Sequence, residues 1–363
     1  MHGGTTSPHA RRPLGRPAPA EAMPFTQRDT YERKTPRTET DAVRSRPPRR
    51  CGGWDRDVAG RCAVSETIVC GIDGKAHSWR AMRLANELSL RTGRRLQVLH
   101  ITAAAGEPAQ RDQGEWLHSA IRGNLGRTDL PVLLETGAPA HELARASRRA
   151  VLLVIGTRGH SALRQALRGS VSTAVIRHAA CPVIIVPPGL GYGSHRTLDD
   201  TTVLCAVRDE RDLALAATGA CWAQELGLGL ALASVLPPPR MPVAPGVAAP
   251  PPTWIPSTRE RITKANEDLR YLAACVSSVA PTTIRTRVAT GPVGPQLRRL
   301  AASEGASIIV VGAESRGAIR AAVAGSPGRH LLRHGSHPIM VCPSAEAALG
   351  AAERTLSNAA LRP

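Results

Sequence analysis

Aromatic side chains are nearly absent: the 363 residues contain one Phe, three Tyr and five Trp. The cores of this chain must therefore be built from Ala, Val, Leu and Ile, which suits helices laid on a parallel sheet whose strands read as aliphatic runs. Long apolar runs are missing too. No stretch reaches the roughly 18 residues of a membrane-crossing helix, and the opening MHGGTTSPHARRPLGRP lacks the apolar centre of a secretory signal, so neither membrane insertion nor export is expected. The eight cysteines, at 51, 62, 70, 181, 205, 221, 275 and 342, form no CxxC pair and no regular ligand spacing. A disulfide framework or metal site has no support from them. Thiols in apolar runs behave as small hydrophobes, and a reducing cytoplasm is the expected setting.

Lysine is scarce, at 34, 75 and 264 alone, so the net charge of +18 is carried by arginine. Such a charge invites a nucleic-acid reading, because clustered cations release counterions from phosphates. Its distribution argues against one. Residues 1–64 carry 13 basic and 7 acidic side chains, residues 65–190 carry 16 and 9, and the remainder 18 and 13. With the excess spread thinly and no stacking motif beside it, nucleic acid is not an expected partner.

What is present is a repeated α/β texture on a chain long enough for two domains. Residues 1–64, rich in Pro, Arg, Thr and Gly, show no periodicity and read as a disordered basic tail. From Thr67 the text alternates: strand TIVCGID up to Asp73, helix SWRAMRLANELSLRT closed by Gly93, strand RLQVLHI, a helix within Gln110–Gly126, strand LPVLLE, a helix from about Pro139, strand AVLLVIG, a glycine loop, a helix from about Ser170, and strand CPVIIVP. This alternation predicts a parallel sheet covered on both faces. It then recurs. ETIVCGIDGK, Glu66–Lys75, corresponds to TTVLCAVRDE, Thr201–Glu210, and GSVSTAVIRHAACPVIIVP, Gly169–Pro187, to GSPGRHLLRHGSHPIMVCP, Gly325–Pro343. The offset grows from 135 to 156 residues, and the Pro-rich insert Pro237–Pro256 accounts for much of that growth. Two copies of one domain are expected at 65–190 and 199–345, followed by a tail at 346–363.

The chemistry concentrates in IGTRGHSALRQALRGSVS, Ile155–Ser172. A strand ending in glycine lets a ligand approach the backbone, and a helix starting after Gly169 turns its free N–H groups toward an anion. Phosphate is the natural occupant. Ser170 and Ser172 add hydroxyls and could also cap the helix. The loop lies at the carboxyl end of a central strand, where open α/β sheets bind ligands.

The spacing G-x2-G-x9-G-S-x-S resembles the ATP-binding signature of the universal stress protein family. So do the GID ending at Asp73, the LHI ending of the second strand, the GAP turn at Gly137–Pro139 and the tail RHAACPVIIVP. The likeness covers about 65–188 well and 201–343 more loosely. It implies two tandem doubly wound domains, each a five-stranded parallel sheet of order 3-2-1-4-5, with ATP at the strand ends of the first. Carried over by position, Asp73 and the backbone near Gly71 and Ile101 face adenine and ribose, while Gly156, Arg158, Gly159, Gly169, Ser170, Val171 and Ser172 surround the phosphates. Asp73 has two readings on its own chemistry: it accepts from a ribose hydroxyl or holds Mg2+, or it caps the helix that begins near Ala76. In the second copy Arg208 stands for Asp73, Ser315 for Gly159 and Gly328 for Ser172, whereas Gly312, Gly325 and Ser326 remain. That site is expected to be weak or empty, with the copy serving as a structural partner. The resemblance further implies an internal pseudo-dimer through the last strands, CPVIIVP and HPIMVCP, and leaves a homodimer open.

Three functions stay in contention: an ATP-binding stress or signalling protein, an enzyme that hydrolyses ATP or transfers its phosphoryl group, and an interaction scaffold without nucleotide. For turnover the nearby candidates are Asp73 and His160. GIDGK has the wrong spacing for a Walker A loop, HELAR at His141–Arg145 lacks the second His of a zinc site, and no GxSxG elbow occurs.

Overall fold

The computed structural model describes residues 66–102, 107–157, 171–188, 198, 201–238, 256–278, 280–313 and 337–343. The expected N-terminal and C-terminal tails and nearly all of the Pro-rich insert lie outside them. In the first copy β1 (Thr67–Ile72) leads to α1 (Ala76–Thr92), β2 (Arg95–Thr102), α2 (Glu107–Leu125), β3 (Val132–Thr136), α3 (Pro139–Ala146), β4 (Leu152–Gly156), α4 (Val171–His178) and β5 (Val183–Val186). The second runs through β6 (Thr202–Ala206), α5 (Leu213–Glu225), β7 (Gly229–Leu236), α6 (Thr258–Ser277), β8 (Ile284–Thr290), α7 (Val293–Ser303), β9 (Ala306–Gly312) and β10 (Ile339–Cys342).

Local chemistry explains several of the boundaries. Gly93 ends α1 in the left-handed region, at φ 68°, which costs glycine nothing. Pro139 opens α3, where its missing N–H is no loss. At α6, Ser257 Oγ accepts from the Glu260 amide while the Glu260 carboxylate accepts from the Ser257 amide, a reciprocal cap.

The strands form one ten-stranded sheet in the order β3-β2-β1-β4-β5-β10-β9-β6-β7-β8. Within each copy the neighbours are parallel and the order is 3-2-1-4-5. The one antiparallel junction is β5 against β10, with Ile185 facing Ile339 and Val183 facing Val341. All eight residues of these two strands are buried, so the junction is core.

Strand residues alternate between two cores. Ile68, Cys70 and Ile72 join Met82, Leu84, Leu117 and Ile121 on the face of α1 and α2, and Val203, Cys205 and Leu230 continue that core into the second copy. Val69, Leu153 and Ile155 join Leu143 and Val175 on the face of α3 and α4, and Leu204, Leu297 and Ile309 extend it likewise. Burial pushes the Cys70 and Cys181 thiols up to about 12, so both stay protonated and serve as packing groups. The six described cysteines form no disulfide with one another.

Polar contacts tie the copies along the first face. Arg94 donates to both carboxylate oxygens of Glu225, at 2.9 and 2.7 Å, and its guanidinium lies 6.0 Å from the Trp222 ring centre. Leu198, buried in the connection between the copies, accepts from Arg91 at 2.6 Å and donates its amide to Glu87 at 3.3 Å.

Candidate functional site

The connections from β1 and from β4 leave the sheet on opposite faces, so the carboxyl ends of these neighbours flank an open crevice. β1 ends at Ile72, and the chain turns through Asp73, Gly74 and Lys75 into α1, with Gly74 at φ 77°. Asp73 Oδ1 accepts from the Lys75 amide at 3.1 Å, and Oδ2 lies 3.2 Å from His77 Nε2. Its side chain keeps 38% of its surface exposed. Partial burial pushes the Asp73 carboxyl up, but the His77 and Lys75 hydrogen bonds, the His77 charge and a Ser78 hydrogen bond outweigh it and hold the group well below the usual carboxylate range. Asp73 thus orders the turn before α1, whose N-cap is Lys75 with no side-chain cap hydrogen bond, and remains an anion open to the crevice.

Two of the glycines have packing reasons. A Cβ on Gly156 would sit 2.1 Å from the His77 carbonyl oxygen and 2.6 Å from its carbonyl carbon. Since backbone cannot yield as a side-chain tip can, only glycine lets β4 end against the first turn of α1. A Cβ on Gly71 would meet Leu143 Cδ2 at 2.8 Å and Ile155 Cγ2 at 3.3 Å, so this glycine seats α3 on the sheet. Ile101 is half-buried on β2, beside Glu135 of β3, and packs on the α3 face. Val171, 39% exposed, opens α4, and Ser172 follows, half-buried. Gly71, Asp73 and Gly156 therefore meet at one sheet edge. Arg158, Gly159, Gly169 and Ser170, with His160, lie outside the described residues.

Side chains that the sequence did not single out also gather here. His77 engages Asp73, and His100 Nδ1 lies 2.9 Å from the Ile72 carbonyl oxygen. Trp116 of α2 is 48% exposed, 6.5 Å from the His100 ring between centres. Thr102 Oγ1 and Gln113 Oε1 are buried without a hydrogen-bond partner among the described residues, at a cost of about 1–3 kcal/mol each when nothing satisfies them. The scarcity of aromatics was the one available signal for Trp116, and it lay inside a helix read only as polar.

The second copy inverts this chemistry. Arg208 donates from its backbone and Nε to Asp212 Oδ2, at 2.8 and 3.0 Å, and from a terminal nitrogen to Oδ1 at 2.6 Å. The 135-residue offset that places Arg208 on Asp73 also places Asp212 on His77. An acid at the strand end with a base on the helix becomes a base at the strand end with an acid on the helix. Gly312 ends β9 as Gly156 ends β4, while Ser315, Gly325, Ser326 and Gly328 lie outside the described residues. No cluster of three His, Cys, Asp or Glu that could hold a metal occurs among the described residues.

Comparison with known proteins gives a consistent answer. The profile described as the universal stress protein family matches residues 65–187 and 201–343. A universal stress protein of Thermus aquaticus is 33% identical over 138 residues, covering 33% of this chain and 98% of that protein. A universal stress protein of Mycobacterium tuberculosis is 30% identical over 134 residues, covering 34% of this chain and 49% of its own length. Among solved structures, a universal stress protein from Archaeoglobus fulgidus superposes with a TM-score of 0.56 at 16% identity, covering 77% of this chain and 97% of that one.

Proposed function

We propose, from the premise that the chain belongs to the universal stress protein family in two tandem copies, that its first copy is a binding site for an adenine nucleotide, ATP, and that its second is a structural partner without nucleotide. The observation that carries this reading is Asp73: an ionised, partly exposed carboxylate at the carboxyl end of β1, beside the crevice where β1 and β4 diverge. Such a group accepts from ribose hydroxyls, or supplies one carboxylate to Mg2+ on a triphosphate. The loop G-x2-G-x9-G-S-x-S follows the same crevice in sequence, with Gly156 at its mouth and Val171 and Ser172 at the start of α4. The positive end of α4 favours an anion there.

Binding is favoured over turnover by the state of that carboxylate. A general base works best with a pKa near the working pH, whereas Asp73 is held far below it. A stress or signalling role through nucleotide occupancy fits a site that holds ATP without consuming it. Among the described residues no helix is long and apolar enough to cross a membrane, and the reading of ATP as ligand supports a cytoplasmic setting. A homodimer would add a second such site.

Calorimetric titration of the full chain with ATP tests the assignment. Asp73→Ala is expected to weaken binding about tenfold or more, the worth of a hydrogen bond to a charged group, and Arg208→Ala to leave it unchanged. Equal loss in both variants, or loss in neither, would show that the asymmetry is misplaced. Nucleotide extracted from the purified protein should be ATP; accumulation of ADP with time would favour an enzyme, and no nucleotide a scaffold.

A further inference from the structure

The two edges of the sheet are finished differently. β3 is one edge and β8 the other, and they are counterparts, because TGAPAHEL, Thr136–Leu143, corresponds to TGPVGPQL, Thr290–Leu297. That correspondence sets Leu133 on Arg287 and Pro131 on Arg285. Strand pairing agrees: Leu133 lies beside Leu99 of β2, and Arg287 beside Ala233 of β7. On β8 the two arginines share the buried Glu304, with Arg287 Nε donating to Oε1 at 2.6 Å and Arg285 lying 3.6 Å from Oε2. Charged side chains along an edge keep further strands from adding to it. On β3 the counterpart of Arg287 is Leu133, 38% exposed.

The unguarded edge is also unpaired. The Pro131 carbonyl accepts from the Val98 amide, and the Gly137 amide donates to the Thr102 carbonyl. Alternate residues of β3 therefore turn their backbone groups toward β2, while Val132, Leu134 and Thr136 turn theirs outward, where no strand lies among the described residues. Two such edges fit each other antiparallel about a twofold axis through Leu133. Val132 then exchanges hydrogen bonds with the partner's Leu134, and Leu133 meets the partner's Leu133 in the close pair between them. Glu135 faces the partner's Pro131. Centring the pair on Leu134 would instead set Leu133 on the partner's Glu135, and centring it on Val132 would set Glu135 against the partner's Asp129. The charges favour the first register: Asp129, whose side chain is 66% exposed, comes to the end of the strand where the partner's Arg145 holds the partner's Glu135, and Arg145 is itself 52% exposed.

We infer that β3 is the surface through which two copies of this chain form a twofold dimer. The junction of β5 with β10 shows that the fold accepts such a union, since there too apolar residues face each other across an antiparallel pair that continues one sheet. Pairing β3 with β8 of another copy would generate an open filament, but it would lay Leu133 against the guarding arginines. With β3 paired to β3, both outer edges are β8, and growth stops at two.

Sedimentation velocity of the full chain over a concentration series tests this. The parent should pass from monomer to dimer near about 10 µM, the weak association of a short edge contact. Leu133→Arg, which writes the second copy's edge residue into the first, should weaken the dimer about a hundredfold or more, because the twofold sets the two new guanidiniums face to face. Leu133→Thr, which keeps a strand-forming residue, should weaken it about tenfold through lost apolar contact. Leu90→Arg, at a residue 68% exposed on α1, should leave association unchanged, and all three variants should keep the parent's circular dichroism. A parent that stays monomeric or grows beyond dimers, Leu133 variants that dimerise as the parent does, or equal loss in Leu90→Arg would overturn the interface.

Discussion

The two copies share a scaffold and differ at one turn. Both order their strands 3-2-1-4-5 and end the fourth strand in glycine, at Gly156 and Gly312. After the first strand they part: the first copy sets Asp73 against His77, the second sets Arg208 against Asp212. Each pair joins the turn to the first helical segment, so each meets the local need for order. The polarity left facing the crevice is opposite. Local stabilisation is satisfied by either charge order, whereas a donating ribose hydroxyl or Mg2+ would be served by the acid at the strand end and not by the base.

The deepest expected effect strikes what the copies share. Gly156→Ala drives a methyl into the His77 carbonyl, and overpacking against backbone at such a place is expected to cost about 3 kcal/mol or more. Denaturant unfolding should show this with or without nucleotide. A variant as stable as the parent would mean that β4 and α1 do not meet at this position, and would return Gly156 to a purely ligand-facing role.

The next effect removes what separates the copies. The double variant Asp73→Arg with His77→Asp writes the second copy's pair into the first. Circular dichroism should be unchanged, because the charge order is one the scaffold already accommodates. ATP affinity should fall about thirtyfold or more, since a fixed anion that accepted hydrogen bonds is replaced by a cation. Retained affinity would show that the crevice, not the charge order, sets binding.

The smallest effect is one of pH. Because Asp73 has a folded pKa below its unfolded value of about 3.9, its contribution to stability is fully present above that value and is lost as pH falls below it. Asp73→Asn should lower the melting temperature at pH 7, and the gap to the parent should begin to narrow below about pH 4 and close only as the pH falls through the still lower folded pKa. A gap that does not narrow at all as the pH is lowered from about 4 to about 2 would mean that the carboxylate's charge is not what stabilises the turn.

Much of the architecture was legible because it rests on short-range pattern. The aliphatic runs became buried strands, the run Cys181–Pro187 became β5, and Gly93 became a left-handed helix end. Asp73 was legible as a chemically important residue, but not as a helix cap: Lys75 is the N-cap of α1 with no side-chain cap hydrogen bond, and Asp73 accepts from the Lys75 amide across the preceding turn. His77, His100, Thr102, Gln113 and Trp116 were not legible. Their meaning depends on which residues lie across the crevice, and a helix that reads as polar gives no hint that one of its residues rests on a distant turn.

By itself the sequence determined that the chain is a repeated α/β unit, where most of its strands and helices fall, and that the first copy carries the spacing G-x2-G-x9-G-S-x-S, of which the second keeps Gly312, Gly325 and Ser326 but not the second glycine or the last serine. Those features are written in periodicity, turn residues and self-similarity, all of which act over a few neighbouring positions. The pairing of β5 with β10 is the one the family resemblance implied; tertiary structure alone decided that it is antiparallel and fully buried, that Gly156 is glycine because His77 backbone lies against it, and that Asp212 pairs with Arg208 as His77 does with Asp73. These depend on contacts between segments far apart in the chain, where the packing of backbone against backbone, and not local propensity, sets which residue fits.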